Sequence, residues 1–288
     1  MRLGMTMPVM EPDLSAQVLR DWALAIDDGP FSSLCFGERM VFDNPDALTL
    51  LGAVAAWTTR VRLVTTVVVP QLHDPVMLGK ALATGDVLSN GRLTVGLGVG
   101  GRVQDYEAVG ADPSTQTMRE LARRADVLKQ VWRGEHGVGP APVQPGGPPL
   151  LVGTMGPKTM RSAAVWSDGL AGVTMDCEPA GITALYDVAR EAFAEAGRAA
   201  PLLTTSTWFA LDDGDGSARE QVRRHLLHYM NWLPVPLVEA IAQTAGFAGT
   251  LSELKAFLER MQDLGTDEFH LIPTNSDVRQ VEQVASLL

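Results

Sequence analysis

The chain has 288 residues, of which 46% are hydrophobic and 20% are charged, and its formal net charge is −11. This acidic balance, with no basic patch, argues against a nucleic-acid surface, and no apolar stretch reaches the roughly 18 residues that a membrane span needs. The first residues carry no apolar region that ends at a small-residue cleavage site, so we expect a cytoplasmic protein. Cys35 and Cys177 stand far apart and outside any CxxC pattern, which is typical of reduced, buried thiols.

Strands and helices alternate along the chain in a regular order. The predicted strands are short and apolar, and they cover 3–8, 33–36, 62–69, 93–95, 150–153, 169–173, 202–211 and 268–272. Predicted helices begin after Ser15 and Asp46, and others cover 75–88, 115–132, 157–166, 181–196, 218–230, 236–245, 251–264 and 278–288. Eight strands that alternate with helices in a chain of this length predict one (β/α)8 barrel domain over residues 1–288. In such a barrel, the residues that follow the strands form the active-site face.

The fourth strand runs into a glycine cluster, Gly96 to Gly101, that matches the GxGxxG dinucleotide fingerprint. In a Rossmann fold this loop leads directly into a helix, and an acidic residue follows about 20 residues later. Here residues 102–113 have a polar, turn-like pattern, and Glu120 falls inside a helical pattern. The glycines therefore predict either a tight strand-to-helix connection or a loop that contacts a ligand.

A second glycine-containing turn joins the fifth strand to its helix. Thr154, Met155 and Gly156 precede Pro157, which suits the first position of a helix. Backbone N–H groups and the positive end of the helix dipole would meet at this turn, and the Thr154 hydroxyl could add a hydrogen bond. We predict a phosphate site here, with an ordinary capped helix as the alternative.

Charged side chains that suit catalysis follow the second and third strands. Glu38 and Arg39 end the second strand, and the planar guanidinium of Arg39 suits a carboxylate, a phosphate or a ring carbonyl. His73 follows the third strand and could reach the barrel mouth as a general acid or base. Glu38, Arg39 and His73 are therefore the candidate catalytic residues.

The other histidines and the familiar catalytic motifs give weaker signals. His225 and His228 lie three residues apart without the carboxylate of an HExxH motif, so we predict no metal site and interpret them as helix-face residues. His270 lies inside the last strand, where we expect a structural role, with acid–base chemistry as the alternative. The sequence contains no Gly-x-Ser-x-Gly elbow and no Walker A motif, which argues against a serine hydrolase and a P-loop enzyme.

Several short motifs occur in a fixed order in the first 170 residues. They cover 32–39, 44–46, 55–63, 82–92, 95–106, 143–158 and 168–169. Together these segments resemble the bacterial luciferase-like flavin monooxygenase family, including its branch that uses the deazaflavin coenzyme F420. Beyond Gly172 the match is diffuse.

This resemblance implies a (β/α)8 barrel that binds a reduced flavin or deazaflavin at its mouth. Glu38 and Arg39 would lie beside the ring, and Thr66 and Val67 would form a bulge behind it, often with a cis peptide bond. The backbone amides of residues 154–156 would hold the phosphate, in agreement with the anion site derived from the turn itself.

The residues after the fourth strand complete the expected cofactor-binding set. They are Gly100, Gly101, Arg102 and Tyr106. Many deazaflavin-dependent relatives carry Asp-His after strand two, where this chain has Glu38 followed by arginine. The acid that would accompany hydride transfer is therefore not identified by the resemblance.

The leading prediction is an oxidoreductase that uses coenzyme F420 for hydride transfer to or from a small organic substrate. FMN is the alternative cofactor, and it would imply an FMNH2-dependent monooxygenase with a partner flavin reductase. A non-catalytic flavin-binding barrel and an unrelated barrel hydrolase or isomerase are further alternatives. The resemblance also implies a homodimer.

Overall fold

Parallel strands close into a barrel in the computed structural model, which describes residues 1–12, 14–154 and 156–288. The strands are β1 (Arg2–Thr6), β2 (Ser33–Phe36), β3 (Arg62–Val68), β4 (Leu93–Leu97), β5 (Leu150–Gly153), β6 (Gly169–Ala171), β7 (Leu202–Leu211), β8 (Phe247–Gly249) and β9 (Glu268–Pro273). Strands β1 to β7 pair in chain order, and β9 closes the ring between β7 and β1. The (β/α)8 barrel predicted from the alternation is confirmed.

The short strand β8 lies outside this ring and has no counterpart in the predicted elements. It pairs with Phe209, Ala210 and Leu211, which are the last three residues of the ten-residue strand β7. Because β7 is longer than its neighbours, its end extends past the ring and accepts an additional partner. Three residues are too few to show an apolar period, which is why the sequence pattern did not indicate β8.

Helices surround the barrel. They are α1 (Ala16–Asp28), α2 (Ala47–Trp57), α3 (Pro75–Leu88), α4 (Val103–Ala108), α5 (Met118–Trp132), α6 (Pro157–Ala163), α7 (Pro179–Glu195), α8 (Ser217–Tyr229), α9 (Val235–Ala242), α10 (Leu251–Asp263) and α11 (Arg279–Ala285). Side-chain caps satisfy N–H groups at several starts, for example at Ser15, at Asp74 and in the Thr250–Glu253 capping box. Within the described part of the chain, no helix combines the length and the apolar character that a membrane crossing requires.

The loop after β4 contains helix α4, where the sequence pattern indicated only turns. Two buried side chains hold it: Asp105 accepts a hydrogen bond from the backbone N–H of Val41 at 2.8 Å, and the Tyr106 hydroxyl donates to the Val99 carbonyl at 2.8 Å. The expectation of turns throughout 102–113 was wrong, because these contacts come from outside the segment. The glycines before α4 end a barrel strand, so the fold excludes the Rossmann interpretation of the fingerprint.

Candidate active site

Two adjoining cavities open at the carboxyl ends of the barrel strands. The first has a volume of about 260 Å³ and is lined by Thr66, Val67, Gly98, Val99, Gly100, Gly153, Thr154, Ala171, Gly172, Val173, Ser206 and His270. The second has a volume of about 190 Å³ and lies toward β1 and α8. Thr66, Val173 and Ser206 line both cavities, so the two lie side by side in one cleft across the barrel mouth.

Glycines flatten one wall of the first cavity. A Cβ atom on Gly98 would lie 2.7 Å from Cγ2 of Val67, and one on Gly153 would lie 2.9 Å from its Cγ1. Gly100 has a φ angle of +66°, which L side chains rarely adopt. Glycine at positions 98 and 153 therefore lets the Val67 side chain pack closely against this wall, where any larger residue would clash.

The end of β3 forms the back of the first cavity. The peptide bond between Thr66 and Val67 is cis, and the pairing of β3 with β4 shifts register between Thr65 and Val68. The backbone N–H of Glu38 donates to the Val67 carbonyl at 3.1 Å. The cis peptide that the resemblance implied for Thr66–Val67 is present, at the position where it was expected.

Glu38 and His73 form a buried pair behind this wall. Oε2 of Glu38 accepts from the backbone N–H of Val69 at 2.8 Å, and Oε1 lies 2.7 Å from Nε2 of His73. The Glu38 side chain is 2% exposed, and neither residue lines either cavity. The pair braces the turn that follows β3, and its predicted catalytic role stays a prediction.

Arg39 lies at the rim of the mouth among aromatic rings and carbonyl groups. It donates to the Tyr229 carbonyl at 2.7 Å, and its guanidinium lies 4.0 Å from the ring centroid of Phe42. Burial, followed by the nearby charge of Arg102, lowers the pKa of Arg39 to about 10. These contacts join the loop after β2 to the end of α8, and so they shape the rim.

The predicted residues after β4 separate into two groups. Gly100 lines the first cavity, and Tyr106 lies beneath this loop, where burial raises the pKa of its hydroxyl to about 12. Arg102 turns to the rim, donates to Asp105 at 2.9 Å and lies 4.5 Å from the ring centroid of Trp232. Gly101, which precedes Arg102, is exposed and lines neither cavity.

The predicted phosphate turn lies at the edge of the first cavity. Thr154 lines that cavity, and its hydroxyl oxygen accepts from the backbone N–H of Gly156 at 2.9 Å. Met155 lies outside the described residues, so its predicted contact stays a prediction. A Cβ atom on Gly156 would have no neighbour closer than 3.8 Å, so space remains at this turn.

The residues that line the second cavity include a buried histidine that the sequence pattern placed on a helix face. His225 is 2% exposed, and its Nδ1 lies 2.5 Å from Oε1 of Glu11. Its ring stacks on that of Tyr229, with 5.8 Å between centroids and 10° between planes. His225 lies on a face of α8 as interpreted, and α8 turns this face into the barrel mouth, which the sequence pattern did not indicate.

His270 lies at the floor of the first cavity and close to the buried Glu268. Its Nε2 is 3.9 Å from Oε1 of Glu268. Burial lowers the pKa of His270, but Cys35 and Glu268 outweigh that effect and raise it to about 10. A structural role was expected for this residue, with acid–base chemistry as the alternative, and the structure shows that it lines the first cavity.

The chain belongs to the luciferase-like monooxygenase family. The model of that family, described as luciferase-like monooxygenase, matches residues 1–273. An uncharacterized protein of Mycobacterium tuberculosis is 33% identical over 171 residues, which make up 53% of this chain and 57% of that relative. The match thus spans little more than half the length of that curated relative.

Two further comparisons describe the family around this chain. An F420-dependent glucose-6-phosphate dehydrogenase of Nakamurella multipartita is 26% identical over 199 residues, covering 62% of this chain and 59% of the relative. The crystal structure of monooxygenase RslO1 from Streptomyces bottropensis matches with a TM-score of 0.80 and 21% identity over 100% of this chain and 98% of that chain. The structural likeness concerns the fold. The relatives include F420-dependent oxidoreductases and monooxygenases, and the family resemblance stated from sequence is confirmed.

Proposed function

We propose that this protein is an oxidoreductase that uses coenzyme F420 for hydride transfer to or from a small organic substrate. The observation that carries the proposal is the pair of adjoining cavities at the barrel mouth, of which one has a glycine wall and the other is lined by an imidazole. A flat cofactor ring suits the first cavity, because Gly98, Gly100 and Gly153 line it without side chains that would project into it.

The residues of the first cavity would hold this cofactor. Thr66 and Val67 would support one face of the ring, and Gly98 and Gly100 would allow close approach along its edge. Thr154 and the turn around Gly156 would receive the phosphate. Hydride transfer is the chemistry that a bound deazaflavin supplies.

The protein's own contribution would be binding, orientation and the exclusion of water. Arg39 and Arg102 hold the rim through Tyr229 and Trp232, so they would limit access of solvent to the cleft. Glu38 and His73 would keep the back wall rigid through their contact with the turn after β3. A water-excluded site protects a hydride donor from side reactions.

An FMNH2-dependent monooxygenase is the second candidate function. The description of the matching family names a monooxygenase, and the same glycine-lined cavity would accept the ring of FMN. This candidate requires oxygen and a flavin reductase as partner. A non-catalytic flavin-binding barrel would show binding of the cofactor without turnover.

Anaerobic turnover separates these candidates. Reduced F420 should be oxidised by the purified protein in the presence of small ketones such as cyclohexanone, and the recovery of F420 absorbance measures the rate. The rate should be the same with and without oxygen. Turnover that needs FMNH2 and oxygen, with none from reduced F420, would instead favour the monooxygenase.

We also propose that the protein acts as a cytoplasmic homodimer. Helices α2 and α3 present an apolar groove lined in part by Leu48, Leu51 and Leu88, and Met77 beside it is 64% exposed. An apolar groove with an exposed methionine on two neighbouring helices suits the same face of a second copy. Light scattering of the purified protein gives the oligomeric state directly.

A further inference from the structure

The second cavity contains two buried polar atoms that lack a hydrogen-bond partner among the described residues. They are Nε2 of His225 and Oγ1 of Thr6, in residues that are 2% and 6% exposed. Met7, Trp208 and Ile272 give the rest of the cavity a largely apolar wall. Since buried polar atoms in proteins are nearly always hydrogen-bonded, this pattern indicates the place of a ligand with one polar group and an apolar body.

The contact at Nδ1 of His225 determines which nitrogen of the ring can exchange a proton. Nδ1 contacts Oε1 of Glu11, and Arg224 donates to Oε2 of the same carboxyl group at 3.3 Å. The Glu11 carboxyl group accepts from both Arg224 and His225 in this arrangement, which places the imidazole hydrogen on Nδ1. Nε2 is therefore the nitrogen that can take up or release a proton inside the cavity.

Aromatic rings fix the orientation of this imidazole. Tyr229 stacks on it, and the Trp208 ring lies 6.5 Å away between centroids. Glu11 follows β1, whereas His225 lies on α8, 214 residues further along the chain. Two separate elements thus hold Nε2 in one position in the second cavity, which shares Thr66 and Ser206 with the first.

We propose that the Glu11–His225 pair exchanges a proton with a small alcohol or carbonyl substrate bound in the second cavity. His225 is the catalytic residue and Glu11 is the positioning residue, and this inference rests on the proposed function. A cavity of about 190 Å³ admits a substrate of about one ring, given that a water occupies ~30 Å³ in the liquid.

The step balances in both directions. When an alcohol is oxidised, its carbon–hydrogen bond breaks and the hydride, with two electrons, passes to the oxidised deazaflavin. The oxygen–hydrogen bond breaks as the carbonyl forms, and that proton passes to Nε2 of His225. In the reverse direction the imidazolium returns the proton to the carbonyl oxygen.

Ligand binding without cofactor tests the cavity directly. Cyclohexanol added to the purified protein should shift the Nε2 resonance of His225 in nitrogen-15 NMR spectra and leave that of His228 unchanged. His225→Leu should weaken cyclohexanol binding about tenfold, the equivalent of one hydrogen bond. It should leave the binding of methylcyclohexane, which has no polar atom, unchanged. His228→Leu, one turn further along α8, is the matched control.

Turnover with reduced F420 tests the positioning role. Glu11→Gln keeps the size of the side chain and removes its charge, so kcat for cyclohexanone should fall about 100-fold, as expected for a weakened general acid. KM should change little, because the apolar wall is untouched. The dependence of kcat on pH should also change in this variant, because Glu11 positions the imidazole. A lower kcat with the same pH dependence as the wild type would contradict the positioning role of Glu11.

The outcomes separate this inference from the proposed function. Equal affinity of the wild type and His225→Leu for cyclohexanol, or no binding by the wild type at the solubility limit, overturns the inference even where F420 binds. A second outcome is that His225→Leu binds cyclohexanol more weakly than the wild type does, while the wild type does not bind F420. This result overturns the proposed cofactor and retains the assignment of the second cavity. Should His225→Leu fail to fold, the wild-type NMR shift decides: an unshifted Nε2 resonance overturns the inference.

Discussion

The side chain of Arg39 connects two distant parts of the chain at the rim of the barrel mouth. Its guanidinium spans from the loop after β2 to the carbonyl of Tyr229, at the end of α8, and lies against Phe42 and Trp232. Such a buried cation holds its partners through charge-assisted hydrogen bonds and aromatic contacts, and both are lost when the side chain is removed.

We predict that Arg39→Ala weakens F420 binding about tenfold, the loss expected for one charge-assisted hydrogen bond. Fluorescence titration measures this. Arg20→Ala, at an exposed position of α1, is the control and should bind like the wild type. Equal affinities of the two variants would remove the role of Arg39.

The buried Glu268 and His270 make stability depend on pH. Although burial raises the pKa of Glu268, contacts with His270, Arg62 and Ser32 lower it overall, whereas the pKa of His270 is raised to about 10. The carboxylate therefore stabilises the fold above its usual value of 4.5, and the imidazolium does so below 6.5 and loses this effect as the pH rises through about 10.

We predict that the free energy of unfolding falls between about pH 6.5 and pH 10 in the wild type. His270→Gln should have a flatter profile over this range, since it removes the group that titrates. Urea denaturation at several pH values measures both. A wild type and variant with parallel profiles would show that another group controls the alkaline loss.

Single residues also mark the limit of what the sequence could show. The placement of Gly100 and Thr154 at one cavity followed from their positions after β4 and β5, and that of Thr66 and Val67 followed from the family resemblance. The place of His225 in the second cavity could not be predicted, because its partner Glu11 is 214 residues away and the helical pattern shows only that α8 has an apolar face.

At the scale of elements, the start of α6 carries the predicted phosphate site. Gly156 has open space around its Cβ position and adjoins Thr154 at the cavity edge. We predict that Gly156→Asp abolishes F420 binding, because its carboxylate would repel the phosphate, while the free energy of unfolding changes little. Gly181→Asp on the exposed first turn of α7 adds the same charge and should bind F420 normally.

Fluorescence titration and urea denaturation of the two glycine variants check this. F420 affinity in Gly156→Asp equal to that in Gly181→Asp would remove the phosphate assignment. Loss of F420 affinity together with loss of folding would show that the substitution disrupts the structure of the turn. A Gly156→Asn variant, which lacks the charge, would then bind F420 only if repulsion of the phosphate is the cause.

Elements were predicted well where the pattern is long and local. The barrel strands and the main helices follow from apolar runs and caps such as Asp74 before Pro75. The sequence could not show β8 or α4, because β8 depends on the extended end of β7, and α4 depends on Asp105 and Tyr106 contacting other loops.

At the scale of the whole molecule, the barrel places residues from distant parts of the chain around one mouth. The first cavity draws on strand ends from β3 to β9, and the second adds the segment after β1 and helix α8. The division of the cleft into a glycine-walled cavity and an apolar cavity with an imidazole is the physical basis for assigning cofactor and substrate to separate places.

Equilibrium titration of the purified protein with coenzyme F420, and separately with FMN, tests the cofactor assignment most directly. Fluorescence quenching measures both affinities under the same conditions. We predict micromolar binding of F420 and clearly weaker binding of FMN. Tight binding of FMN without binding of F420, or binding of neither by the folded protein, would contradict the proposed function.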